Sequence, residues 1–203
     1  MTRLRTHAVL LHAIALTLAS SGFLLASEEW PAYSHDNARS DITPERLRLP
    51  LREAWRYQAA HPPVPAWPAP AEHDYWHDIR KLRSLVTYDR AYQVVVAGGK
   101  LFFGTSSDNK VYALDAKTGE QRWSFFAGGP IRLAPTVADG RVYVGSDDGS
   151  VYSIDARGGR LLWKFTAEEK QAYLPGNGRM ISRWPIRAGL VVDSGTVYFG
   201  AGL

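Results

Sequence analysis

The sequence predicts an all-β chain: a β-propeller of four-stranded antiparallel blades, incomplete, with two full blades and part of a third. Three observations predict it. Gly99-Lys-Leu-Phe-Phe-Gly104, Gly140-Arg-Val-Tyr-Val-Gly145 and Gly195-Thr-Val-Tyr-Phe-Gly200 repeat one six-residue pattern. Downstream, Val111-Tyr-Ala-Leu-Asp-Ala116 matches Val151-Tyr-Ser-Ile-Asp-Ala156, Gly119 matches Gly159 and Trp123 matches Trp163, all at an offset of 40. Each unit also divides into short β-branched and aromatic runs parted by turn residues, as a meander of short strands requires. A period of about 40 with several strands per unit is the signature of a propeller blade.

The chain opens on a segment of another kind. In residues 1–27, Arg3 and Arg5 precede an apolar run from Ala8 to Ala19, and small residues follow at Ser21 and Ala26, which reads as a cleavable secretory signal. An uncleaved anchor is the alternative: extended to Ala26 the run reaches 19 residues, although Ser20, Ser21 and Gly22 interrupt it. Residues 28–89 then form an entry segment, a closing strand and a Pro-rich connector, and residues 90–203 the propeller repeats. The connector, His61-Pro-Pro-Val-Pro-Ala-Trp-Pro-Ala-Pro70, favours an extended path over the surface. In the charged run after it, His73 and His77 stand four apart beside Asp74 and Asp78. On a helix they would share a face, but with no third ligand in view a solvated turn explains them and no metal is assigned.

Within the second unit, strands are expected over Ile131–Val137, Arg141–Gly145, Val151–Asp155 and Leu161–Phe165. Asp139-Gly140 and Asp147-Asp-Gly149 turn the chain between them, because glycine takes positive φ without a Cβ clash. The first unit uses Ser106-Ser-Asp-Asn-Lys110 for the second of these turns, one residue longer. Before the fourth strand, Asp115 and Asp155 are placed to accept backbone N–H groups and cap a turn completed by Gly119 or Gly159, which accounts for them without an acid or metal role. Asp147 and Asp148 lack the alternating D-x-D-x-D-G spacing of a calcium loop. Trp123 and Trp163 recur once per blade, where a flat ring lies across the neighbouring sheet, so their role is read as packing.

The step to the third unit is longer, 55 positions from Gly140 to Gly195 against 41 from Gly99 to Gly140. The insertion, Thr166–Arg187, carries the candidate ligand-binding residues Arg179, Arg183, Trp184 and Arg187. Three guanidiniums beside an aromatic suit an anionic or planar ligand held over a propeller face. The alternative is that they pair with nearby acids while Trp184 packs on a blade. No catalytic residue is assigned.

Composition removes several classes. With no cysteine among 203 residues, disulfide scaffolds, thiol catalysis and cysteine-ligated metals are excluded. A chain 45% hydrophobic is globular, since disordered segments lack that apolar fraction. The net charge of +4 falls by two if Arg3 and Arg5 leave with the signal, which is too little to argue for nucleic acid.

Ala113-Leu-Asp115-Ala-Lys-Thr118-Gly119-Glu-Gln-Arg-Trp123 matches, at every fixed position, the tryptophan-docking motif A-x-D-x-x-T-G-x-x-x-W of the pyrroloquinoline-quinone (PQQ) type propeller repeat. The chain resembles that family from about Arg90 onward. The second blade keeps Asp155, Gly159 and Trp163 but has Ser153 and Gly158 in place of the motif's alanine and threonine. The resemblance then implies one interblade hydrogen bond fewer and weaker docking. Trp30-Pro-Ala-Tyr-Ser-His-Asp36 resembles the entry segment of such exported proteins. Arg52-Glu-Ala-Trp55-Arg-Tyr57 resembles a solitary outer strand whose Trp55 docks and closes the ring. A closed propeller takes about four to eight blades, so the chain is expected to be a fragment of a longer protein.

The resemblance implies three functions. The first is an exported, non-catalytic scaffold like BamB-type proteins, binding protein partners in the cell envelope. The second is a fragment of a PQQ-dependent quinoprotein dehydrogenase with PQQ and calcium in its channel. The third is a sensory or docking domain of a larger envelope protein. The scaffold is carried forward, because no catalytic Asp, calcium-binding carboxylate set or haem C-x-x-C-H can be placed and no cysteine pair exists to cover a quinone. Its expected location is the periplasm or the exterior, with a membrane contact only if the N-terminal segment stays uncleaved.

Overall fold

The computed structural model describes residues 29–66, 75–82, 91–168, 170, 172–176 and 179–202. A single turn of helix, α1 (Tyr75–Arg80), lies in the charged run. His73, Asp74, the side chains of His77 and Asp78, and the whole expected signal lie outside the described residues. Among the described residues no helix is long and apolar enough to cross a membrane.

Two four-stranded antiparallel meanders follow. The first runs β1 (Val94–Ala97), β2 (Lys100–Gly104), β3 (Lys110–Asp115) and β4 (Gln121–Phe126). The second runs β5 (Thr136–Ala138), β6 (Arg141–Gly145), β7 (Ser150–Asp155) and β8 (Leu161–Thr166). The insertion holds a hairpin, β9 (Tyr173–Gly176) with β10 (Arg179–Ser182), and the third unit another, β11 (Val191–Asp193) with β12 (Thr196–Tyr198). The all-β fold of propeller blades, two complete and one partial, is as the repeats predict.

The repeat extends to register. Lys100↔Asp115 through Gly104↔Val111 in the first blade recurs as Arg141↔Asp155 through Gly145↔Val151 in the second. A one-residue slip falls at Ala113/Leu114 and again at Ser153/Ile154, just beyond the pairs Ala113↔Trp123 and Ser153↔Trp163. A small residue therefore stands opposite each indole, and the bulge adds local twist.

Two expectations are corrected. The strand expected from Ile131 begins only at Thr136: Pro130 and Pro135 have no N–H for a ladder, and the Ile131 N–H is spent on Thr105 O of the first blade. Arg52–Tyr57 belongs to no strand, although Trp55 reaches the first blade through its ring. The insertion forms a paired hairpin, and its sequence carries Asn177-Gly178, a two-residue hairpin signal.

Apolar faces fill the gaps between sheets. Val95, Phe102, Val111, Trp123, Ile131, Val142, Val144, Tyr152 and Ile154 make one core between the first and second blades. Tyr143, Val151, Ile186, Leu190 and Val192, with Trp163 and Phe199 against them, make another between the second blade and the third unit. The entry segment crosses the first strand of all three units. Trp30 exchanges two backbone bonds with Val96, the Val137 N–H donates to Pro31 O, and Asn37 Nδ2 donates to Val192 O at 2.8 Å. Val96, Val137 and Val192 each stand three residues before the repeated hexapeptide.

Candidate functional site

Two sets of residues stand out: the indole seats between units and a charged cluster where the loops meet. At the first seat, Trp123 Nε1 donates to Ala156 O at 3.2 Å and its ring covers Gly159. Gly159 has φ +74°, and a Cβ there would stand 2.7 Å from the indole, so glycine is required twice over. Trp55 stands to the first blade as Trp123 does to the second, donating to Ala116 O at 3.1 Å over Gly119. Trp163 lies 5.9 Å from Tyr143 within the core beside the third unit.

The aspartates beneath these seats hold their turns. Asp115 Oδ1 accepts the N–H groups of Lys117 and Thr118, and Oδ2 accepts from Arg122 at 2.8 Å. The Arg122 hydrogen bond first, then the two backbone bonds, hold its carboxyl down at about 2. Asp155 accepts from Gly158 N at 2.8 Å. The Thr118 hydroxyl accepts from Glu120 N inside its own turn. In the second blade Gly158 forgoes this local bond.

At the other end of the blades, the turns after β2 and β6 meet the connectors between units. Asp147, 1% exposed, sits between two guanidiniums: Arg132 Nε is 2.7 Å from Oδ2, and Arg187 reaches Oδ1 and Oδ2 at 2.8 and 2.9 Å. Arg132 also donates to Val64 O, so one carboxylate braces the connectors entering the first, second and third units. The two arginines belong to a repeated tripeptide, Pro130-Ile-Arg132 and Pro185-Ile-Arg187, spaced by the same 55 positions as Gly140 and Gly195. Ile131 and Ile186 press on Gly104 and Gly145, where a side chain would collide with them. Ile131 N bonds Thr105 O and Ile186 N bonds Ser146 O, both at 3.0 Å. This second repeated motif is legible in the sequence, although the Trp spacing is the stronger signal.

Asp148 is engaged as well. Its Oδ2 accepts from Tyr152 at 2.5 Å and from Lys164 at 3.0 Å, and the Tyr152 hydroxyl accepts from Gly128 N. Burial first, then the carboxylate, push the Tyr152 phenol up. Burial lowers Lys164, but its contacts with Tyr152 and Asp148 outweigh that and raise it. The first blade repeats the pair: Asp108 accepts from Thr105 and from Tyr112, with Lys110 3.4 Å away. Burial pushes Asp108 up, and these partners together bring it below its usual value.

The four candidate ligand residues take different partners. Arg179 donates to Ser106 O, Ser107 O and Asn109 Oδ1 of the first blade. Arg187 clamps Asp147, and Arg183 stands 5.7 Å over the half-exposed Trp184 ring. Calcium takes six to eight oxygen ligands, whereas both oxygens of Asp147 and one of Asp148 already face cationic donors. Asp147 and Asp148 as paired here therefore do not fit that ion, and no group of three or more acidic, His or Cys side chains among the described residues is placed to hold a metal.

The comparisons with known proteins follow this architecture. The family model described as outer membrane protein assembly factor BamB matches residues 52–202. Among solved structures, the quinohemoprotein alcohol dehydrogenase from Comamonas testosteroni aligns with a TM-score of 0.59 at 20% identity over 86% of this chain and 23% of its own. The quinohemoprotein alcohol dehydrogenase ADHIIG from Pseudomonas putida HK5 aligns at 0.42 and 23% identity, over 56% and 21% of the two chains. BamB from Moraxella catarrhalis aligns at 0.33 and 20%, over 51% and 40%. The chain thus spans about a quarter of the first of these, and the likeness establishes the fold alone. No curated protein matches it by sequence. With blades, register and docking motif on one side and a family match over most of the sequence on the other, the chain belongs to the PQQ-like repeat family of outer membrane protein assembly factor BamB.

Proposed function

We propose that this chain is an exported, non-catalytic scaffold of the cell envelope, presenting propeller loops and sheet edges to protein partners. Residues 1–27 act as its leader, 28–89 as the entry segment and connector, and 90–203 as the repeats. The observation that carries the reading is the braced loop end. Asp147 is locked by Arg132 and Arg187, and Asp148 by Tyr152 and Lys164, so these carboxylates stiffen a platform. A general base or a calcium ligand needs an available oxygen, which such pairing removes.

Two measurements test it together. Fractionation of the producing cell is expected to find the processed chain, beginning between Gly22 and Glu28, in the envelope, with its deletion lowering the amount of folded outer-membrane barrels. Purified protein titrated with PQQ and calcium is expected to show no saturable absorbance change and no donor-dependent dye reduction. Saturable, donor-dependent dye reduction overturns the scaffold and makes the chain part of a quinoprotein dehydrogenase.

A further inference from the structure

Between the two complete blades, at the end that carries the β1–β2 and β5–β6 turns, the gap opens into a cavity of about 590 Å³. Phe102 and Val137 line it with apolar surface, and Lys100, Asp139 and Arg157 bring charge to it from both blades. The Trp123 joint holds the two walls together. Its indole stands 5.7 Å from the Phe102 ring and donates to Ala156 O, and both of those residues line the cavity. The entry segment adds Glu29, whose Oε1 accepts from Gly98 N at 2.7 Å.

Charge here is matched differently from charge at the opposite end of the blades. There Arg132 and Arg187 share Asp147, and Lys164 meets Asp148. Here Glu29 is engaged by Gly98 N and Asp155 by Gly158 N. Lys100, Asp139 and Arg157 make no side-chain hydrogen bond or ion pair among the described residues, although Lys100 is half-buried. A cavity of this volume lies in the range that takes small molecules. A ligand with only negative charge would meet the Asp139 carboxylate, and one with only positive charge would meet Lys100 and Arg157. One charge of each sign, joined to an apolar body, matches the whole lining.

We propose that this interblade cavity binds a small zwitterion with an apolar side chain, of the class of free amino acids and short peptides. Its carboxylate sits between Lys100 and Arg157, its ammonium faces Asp139, and its side chain lies against Phe102 and Val137. The same molecule already seats a carboxylate in this way, since Asp147 lies between Arg132 and Arg187 from separate connectors. Charge-assisted hydrogen bonds at both ends of the ligand give specificity, and walls already joined by Trp123 need no rearrangement to receive it. The site goes beyond the scaffold reading and does not depend on it.

The test titrates the purified chain with the dipeptide alanyl-phenylalanine and follows backbone amide signals by NMR. Saturable shifts are expected at 97–100, 138–140 and 155–157, the turns around the cavity. The N-acetyl form lacks the ammonium and the amide form lacks the carboxylate. Each is expected to bind about tenfold or more weakly, a loss of ~1.4 kcal/mol or more. Lys100→Gln combined with Arg157→Gln is expected to weaken the free dipeptide by a similar factor. The unfolding midpoint of that variant is expected to stay in place, because neither side chain has a partner to lose. Asp139→Asn keeps a residue suited to φ +49°, and is expected to weaken the free dipeptide but not its N-acetyl form. Equal binding by the three peptides, shifts confined to other regions, variants that bind as the native chain does, or no saturation each overturn the proposal.

Discussion

Trp123 shows how much one side chain carries in this fold. Its ring is 8% exposed, joins the core between two blades and donates its only N–H across the gap to Ala156 O. Truncating it removes both the packing and the bond, so Trp123→Ala is expected to cost about 3–5 kcal/mol in chemical denaturation. An unchanged midpoint would contradict its place in the joint. Arg187 teaches a different lesson: from sequence it suits either a ligand contact or an internal pair, and the structure has it clamped on buried Asp147. Sequence proximity grouped it with Arg179, Arg183 and Trp184, but the hairpin β9–β10 carries Arg179 to the first blade. Spacing along a chain says little about where long side chains end once an insertion folds on itself.

Among elements, the turn between β3 and β4 is the clearest case of sequence dictating geometry. Asp115 caps it, Gly119 closes it at φ +73°, and Arg122 holds the carboxylate from the next strand. Because the folded value of Asp115, about 2, lies below the ordinary aspartate value of 3.8, its contribution is fully present above pH 3.8. It is lost as pH falls through about 2. The difference in unfolding midpoint between the native chain and Asp115→Asn is therefore expected to shrink between pH 4 and 2, measured by denaturant titration across that range. A difference that grows instead would reverse the sign assigned to this group. β5 shows the opposite: its apolar, β-branched residues from Ile131 read as strand, yet the two prolines and a bond to the neighbouring blade keep that stretch out of the ladder.

At the scale of the molecule, the entry segment is the thread. Trp30, Pro31 and Asn37 bond the same repeat position in three successive units, and Arg39 adds a contact to Leu190 O. The third unit depends on this most, since its hairpin has only three residue pairs. Asn37→Ala removes one hydrogen bond, worth about 0.5–1.5 kcal/mol. Amide exchange over 190–198 is expected to quicken while 110–115 stays protected. Uniform quickening across all three units would mean that Asn37 supports the fold as a whole.

The repeat, the blade strands, the capped turns and the expectation of interblade indoles are legible in the sequence, because local propensity and a 40-residue period act through neighbouring residues. Tertiary structure alone decided which turn Trp55 covers, that Asp147 gathers Arg132 and Arg187 from separate connectors, and that the entry segment stitches three inner strands. These pairings join residues from 15 to 155 positions apart. Their spacing along the chain carries no pairing signal, and the contacts exist only after the sheets have packed side by side.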